Sequence, residues 1–164
     1  MLSFFPDEMQ LIAHYGPRLL MATILGAVIG LDREMKRRPA GLRTHMIMSL
    51  AASLFTVLTL ELQAQLTIQQ KSGADPIRII EAITVGVSFL AAGTIIQSGR
   101  NVRGLTTGAG MWLAGAVGLA CGLERYGLAV LAAALAVIIL AVLIPLESLI
   151  DRAADRATTK PKTD

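Results

Sequence analysis

The sequence predicts an all-α polytopic membrane protein with five transmembrane helices, the N-terminus outside and the C-terminus cytoplasmic. Three observations predict it. The 164-residue chain is 54% hydrophobic and 16% charged, with a mean hydropathy of +0.61. That is far more apolar than a soluble domain of this size. Apolar runs recur at 17–31, 46–62, 77–96, 106–122 and 127–146, and the basic residues fall unevenly between them. A hydrocarbon core of roughly 30 Å needs about 20 apolar residues per helix. The third and fifth runs meet that; the others are short and stand nearly upright or reach into the interface. Five such runs leave almost no polar face to cover a soluble globule.

Residues 1–16 read as an N-terminal interfacial segment. The first ten contain no Lys or Arg, and Asp7 and Glu8 precede the first apolar run, which argues against a signal peptide. Phe4, Phe5, Leu11, Ile12 and Tyr15 would face lipid; a frayed terminus reads equally well. The transmembrane domain is placed at 17–149. Pro17 suits a first helical position. Ala22, Gly26 and Gly30 then recur every four residues, a spacing that lets helices approach closely in lipid. The second span carries a polar stripe of Ser49, Ser53 and Thr56. Gly73, Asp75 and Pro76 mark a turn in the polar connection before the third span. The third span carries Glu81, Thr84 and Ser88 at i, i+3 and i+7.

The fourth span repeats the small-residue device with Gly110, Ala114, Gly118 and Gly122. Trp112 reads as an interfacial anchor. Cys121 is the one cysteine, so neither a disulfide nor a thiolate metal site can be argued. The fifth span is almost wholly Ala, Val, Leu and Ile and reads as a lipid-facing outer helix that Pro145 bends or ends. Residues 150–164 read as a flexible cytoplasmic tail.

Two connections look alike: Arg38-Pro39-Ala40-Gly41-Leu42-Arg43-Thr44-His45 and Asn101-Val102-Arg103-Gly104-Leu105-Thr106-Thr107-Gly108. Both carry Gly-Leu-x-Thr before an apolar run. Aligning them also sets Gly30 against Gly93, which joins the helix-packing set. The pattern suggests a parallel repeat about an axis along the membrane normal. With the N-terminus outside, eleven of the 15 basic residues fall on inner segments: Arg33, Lys36, Arg37, Arg38, Arg43, Arg100, Arg103, Arg152, Arg156, Lys160 and Lys162. Arg18, Lys71, Arg78 and Arg125 fall outside, in keeping with the positive-inside rule. A pI near 9.4 also suits nucleic acid. Here, however, the charge is scattered over short loops with few aromatics, so no nucleic-acid partner is expected.

The densest polar group is a cytoplasmic charged cluster: Asp32, Arg33, Glu34, Arg43, Thr44, Arg103 and Thr107. Thr44 serves as N-cap or first-turn residue of the second span. Two helix N-termini with arginines nearby can hold an anion or clamp Asp32 and Glu34. The plainer alternative is a latch between loops. Mg²⁺ takes hard oxygen ligands, but two acids among five Lys and Arg repel it, so no metal is assigned. Glu81 is an intramembrane acid and a functional candidate. Interhelical hydrogen bonds between the Glu81–Ser88 stripe and the Ser49–Thr56 stripe account for both without transport. His14 and His45 lack metal-like spacing, and no catalytic motif appears. Neither an enzyme nor a cofactor is predicted.

The blocks Gly26-Ala27-Val28-Ile29-Gly30-Leu31-Asp32-Arg33-Glu34, Ala40-Gly41-Leu42-Arg43-Thr44-His45, Phe89-Leu90-Ala91-Ala92-Gly93-Thr94-Ile95-Ile96 and Val102-Arg103-Gly104-Leu105-Thr106-Thr107, the last running on to Trp112, together resemble the MgtC/SapB family of bacterial inner-membrane proteins. Position 32 is Asp where the family usually has Glu. Gly86-Val87-Ser88-Phe89-Leu90-Ala91 stands where Gly-x-Gly-Phe-Leu-Gly is usual. The chain is expected to belong to the short branch that lacks a soluble C-terminal domain. The resemblance implies a regulatory protein linked to growth at low Mg²⁺, virulence and stress survival, in some members through the F-type ATP synthase. Regulation by helix–helix contact is the leading expectation, with a homodimer or a membrane-protein partner besides the lipid bilayer. The alternative is transport of an ion or small solute, including Mg²⁺-linked transport, past Glu81, Thr84 and Ser88.

Overall fold

In lipid the backbone must satisfy its own polar groups, so long apolar runs become helices. The computed structural model describes residues 4–68, 76–98 and 101–141 and is all-α apart from one small hairpin. Its elements are α1 (Phe4–Met35), α2 (Leu42–Ile68), α3 (Pro76–Ala92), β1 (Ile96–Ser98), β2 (Asn101–Arg103), α4 (Leu105–Gly122) and α5 (Tyr126–Ala141). Three helices are long and apolar enough to cross a membrane: α1, α2 and α4. The turn before α3, Pro145, the end of the fifth span and the tail lie outside the described residues.

Several boundaries differ from those the sequence predicts. α1 is one helix of 32 residues, so residues 4–16 continue the first span and Pro17 lies inside it. Pro is tolerated within membrane helices, where the freed carbonyl finds other partners. α3 stops at Ala92, and Ile96 lies in β1. The expected loop is an antiparallel hairpin pairing Ile96 with Arg103 and Ser98 with Asn101. Trp112 lies two turns inside α4, beside Ile80 and Thr84 of α3, and not at its start.

α2 is the hub, antiparallel to α1 and parallel to α4. Glycines set how closely it is approached. A Cβ on Gly26 would lie 2.7 Å from His45 O, and one on Gly122 would lie 2.6 Å from Thr56 Cβ. One on Gly118 would overlap the Ser49 backbone. The small residues therefore pack inside the chain. Gly93 does not share this role: it is exposed in the turn after α3, and its nearest neighbours are carbonyls of that helix.

Ala22, Leu25 and Ile29 of α1, Ala114, Val117 and Cys121 of α4, and Ala129, Ala133 and Ala136 of α5 make one apolar cluster. α5 thus packs through an alanine stripe and leaves Leu128, Leu131, Leu135, Ile138 and Ile139 exposed, the outer helix its composition implies. Met48, Val87, Ala91 and Met111 tie α2, α3 and α4 together near the basic end. At the opposite end, Arg18, Thr56 and Gly122 share a level. Beyond it, among the described residues, only α1 and α2 continue, for about 20 Å at roughly 1.5 Å per residue.

Candidate functional site

The helix ends at the basic face are held by side chains. α1 finishes in a Schellman arrangement: Arg38 N donates to Arg33 O, Arg37 N donates to Glu34 O, and Arg37 takes φ 50°. That turns the chain so that Glu34 Oε2 accepts from Leu42 N at 3.0 Å, capping α2 from eight residues upstream. Gly41 leaves room for that carboxylate oxygen, which a Cβ there would push off the cap. Thr44 sits in the first turn of α2.

Asp32 pairs with Lys36 at 2.7 Å, and Lys36 also donates to Leu140 O at 2.9 Å, tying α5 to α1. Arg33 is 1% exposed and donates from Nη2 to Thr107 Oγ1 at 3.0 Å. These bonds are the latch reading of the cluster. Asp32, Arg33, Glu34, Thr107 and the α2 N-terminus come together. Arg43 and Arg103 remain exposed and form no part of the latch.

A buried polar seam continues from this latch between α1, α2 and α4. His45 is fully buried, with Nδ1 2.9 Å from Gly41 O. A carbonyl only accepts, so Nδ1 carries the proton and Nε2 of the neutral ring is left as an acceptor. Ser49 and Ser53 follow, both fully buried, then Thr56. Ser53 Oγ reaches Arg18 O at 3.5 Å, and Thr56 Oγ1 donates to Ala52 O at 2.7 Å. Arg33 Nε and Nη1, Asp32 Oδ2, His45 Nε2 and Ser49 Oγ are buried without a hydrogen-bond partner among the described residues.

The seam ends at Arg18, which is buried in the body of α1 and not on a loop as its place among the outside basic residues implies. Nη1 donates to Gly122 O at 3.2 Å, Nη2 lies 3.1 Å from His14 Nε2, and Glu124 forms an ion pair with it. The Tyr15 ring lies beneath the guanidinium, 5.1 Å from centroid to carbon.

The expected pairing of two polar stripes does not occur. Ser49, Ser53 and Thr56 face α1 and α4, while Glu81 and Ser88 are exposed on α3 and Thr84 is half-buried beside Trp112. Both small faces, on α1 and on α4, require backbone contact with α2, and that turns its hydroxyl stripe inward. His45 and Arg18 were legible in register. His45 stands one turn before Ser49, and Arg18 four residues before Ala22, Gly26 and Gly30. Among the described residues no group of three or more His, Cys, Asp and Glu could hold a metal ion.

A sequence model of the MgtC family matches residues 19–149. The chain belongs to the MgtC family. Among its relatives, Escherichia coli K12 "Putative magnesium transporter YhiD" is 34% identical over 125 residues, covering 76% of this chain and 58% of that protein. Salmonella typhimurium "Protein MgtC" is 37% identical over 120 residues, covering 73% and 48%. Synechocystis "Uncharacterized protein slr0014" is 35% identical over 134 residues, covering 82% and 54%. The chain thus spans about half the length of these MgtC-family relatives. No solved structure matches it. MgtC-family membership and the apolar helices make it a membrane protein.

Proposed function

We propose that this chain is a non-enzymatic regulatory module of the bacterial inner membrane that crosses it five times. In this reading it supports growth at low Mg²⁺ by contact with another membrane protein or a second copy of itself. The observation that carries the reading is the charge inside the bundle. Among the described residues the most deeply buried charge is the cation Arg33, at one end of the seam, and Arg18 lies at the other. Between them Gly118 meets the Ser49 backbone directly. A divalent cation following this route would meet positive charge at both ends and a closed wall between.

Because the small-residue faces are used within the chain, a partner needs another surface. The exposed face of α3 suits one. Glu81, Val85 and Ser88 are exposed there at i, i+4 and i+7. A carboxylate and a hydroxyl directed at lipid are costly, whereas a neighbouring helix can hydrogen-bond to them. The ATP synthase implied by the family resemblance is one candidate partner.

Transport is the second reading, favoured by the name of the E. coli relative and by the position of Glu81. The test is Mg²⁺ flux in liposomes together with complementation of growth at low Mg²⁺. No saturable flux is expected, and Glu81→Leu with Ser88→Leu should lose complementation while the protein still folds. Saturable flux abolished by Glu81→Gln would replace regulation with transport.

A further inference from the structure

On the side of α3 opposite Glu81, α2 and α3 diverge and leave a groove of about 810 Å³. Met48 and Met111 form its floor, Phe55 and Leu90 stand exposed at its rims, and Arg43 and Arg78 line it as well. We propose that this groove seats an acyl chain of a phospholipid with a net negative headgroup, whose phosphate is held at Arg43 beside Thr44.

Size decides between the occupants. From Arg43 to Phe55 the groove runs about 18 Å along α2, at roughly 1.5 Å per residue. One leaflet of a bilayer core of roughly 30 Å is about 15 Å deep, so a single chain lies along it. An acyl chain is slimmer than a helix about 10 Å across and can follow the apolar floor between α2 and α3 along its length.

Charge decides the headgroup. Arg43 is exposed and makes no ion pair or side-chain hydrogen bond among the described residues, while the carboxylates at the end of α1 are engaged elsewhere: Glu34 on Leu42 N and Asp32 on Lys36. Arg37 and Arg38 are exposed on the same face. A phosphodiester supplies the missing anion, and a headgroup without its own cation leaves that charge for Arg43. Thr44, half-buried in the lining, adds a hydroxyl donor.

Gly86 gives the handle for a test. It lines the groove, and a Cβ built on it meets nothing within 4 Å. A large side chain at this position would therefore fill the groove without straining the bundle. The full chain would be purified, exchanged into mixed phosphatidylglycerol and phosphatidylcholine, and weighed by native mass spectrometry. The wild type should retain phosphatidylglycerol about fivefold over phosphatidylcholine, an equilibrium difference well within reach of one charge contact. Gly86→Phe should lose the retained lipid with its thermal midpoint unchanged. Arg43→Gln should keep a lipid but lose the preference.

Equal retention of the two lipids by the wild type would overturn the proposal. So would full retention by Gly86→Phe, or a dimer that Gly86→Phe breaks, which would assign the groove to a second copy. Phosphatidylglycerol with a photoreactive group in its chain gives a second readout on the unmutated protein. It should label Ala82 and Leu90, and labelling of Val85 and Ser88 alone would also overturn the proposal. Neither experiment depends on the flux or growth measurements, so this site and the regulatory reading fail separately.

Discussion

At the scale of single residues, two glycines of the same composition class have opposite consequences. Gly118→Ala forces a methyl into the Ser49 backbone and should cost about 1–3 kcal/mol, read as a lower thermal midpoint in detergent. Gly127→Ala meets open space in the first turn of α5 and should stabilise by about 0.5 kcal/mol, the helix preference of Ala over Gly. Arg33 and Thr107 invite a double-mutant cycle. Thr107→Val removes the acceptor from a buried guanidinium and should cost about 1–3 kcal/mol. Adding Arg33→Met removes the stranded charge, so the pair should cost less than the two single changes summed. The sequence made the four-residue spacing of the glycines visible but not the surface they meet. Spacing defines a face on one helix, and only the packed bundle says that α2 covers it. Gly93 shows the same limit. The Gly-Leu-x-Thr alignment marks the starts of α2 and α4 correctly, yet carries no register back into α3, which ends a residue before Gly93.

At the scale of elements, the caps decide where helices stop. Glu34→Ala removes the carboxylate that caps α2 and should cost about 1 kcal/mol, with added amide exchange in its first turn. Arg37→Gly relieves a left-handed residue at the end of α1 and should stabilise by up to about 1 kcal/mol. Neither cap can be read locally: Glu34 acts eight residues from its target, and an arginine does not announce a left-handed turn. The hairpin of β1 and β2 was hidden for a related reason. Three-residue strands carry too few side chains to show alternation, and Ile95-Ile96 extends the apolar run of α3 without a break.

At the scale of the whole molecule, the all-α class and the five helices were legible because lipid imposes one rule on every apolar run: its backbone must bond to itself, as a helix. The site was legible as a cluster but not as a seam. Two of its buried members, Arg18 and His45, are polar residues in otherwise apolar helices, and burial depends on neighbours far along the chain. The buried arginines lie fifteen residues apart on α1, about 22 Å.

That short interval has a consequence when joined with the uneven ends of the helices. Among the described residues, α1 and α2 run on about 20 Å beyond the level where α3, α4 and α5 end. The tall side keeps Leu11, Ile12, Leu58 and Leu62 exposed. A bilayer of uniform depth cannot match both sides, and each ångström of mismatch costs a fraction of a kcal/mol. Held in lipid, that taller side would make the far leaflet slope around the protein, a wedge whose stability would follow the thickness and curvature of the membrane around it.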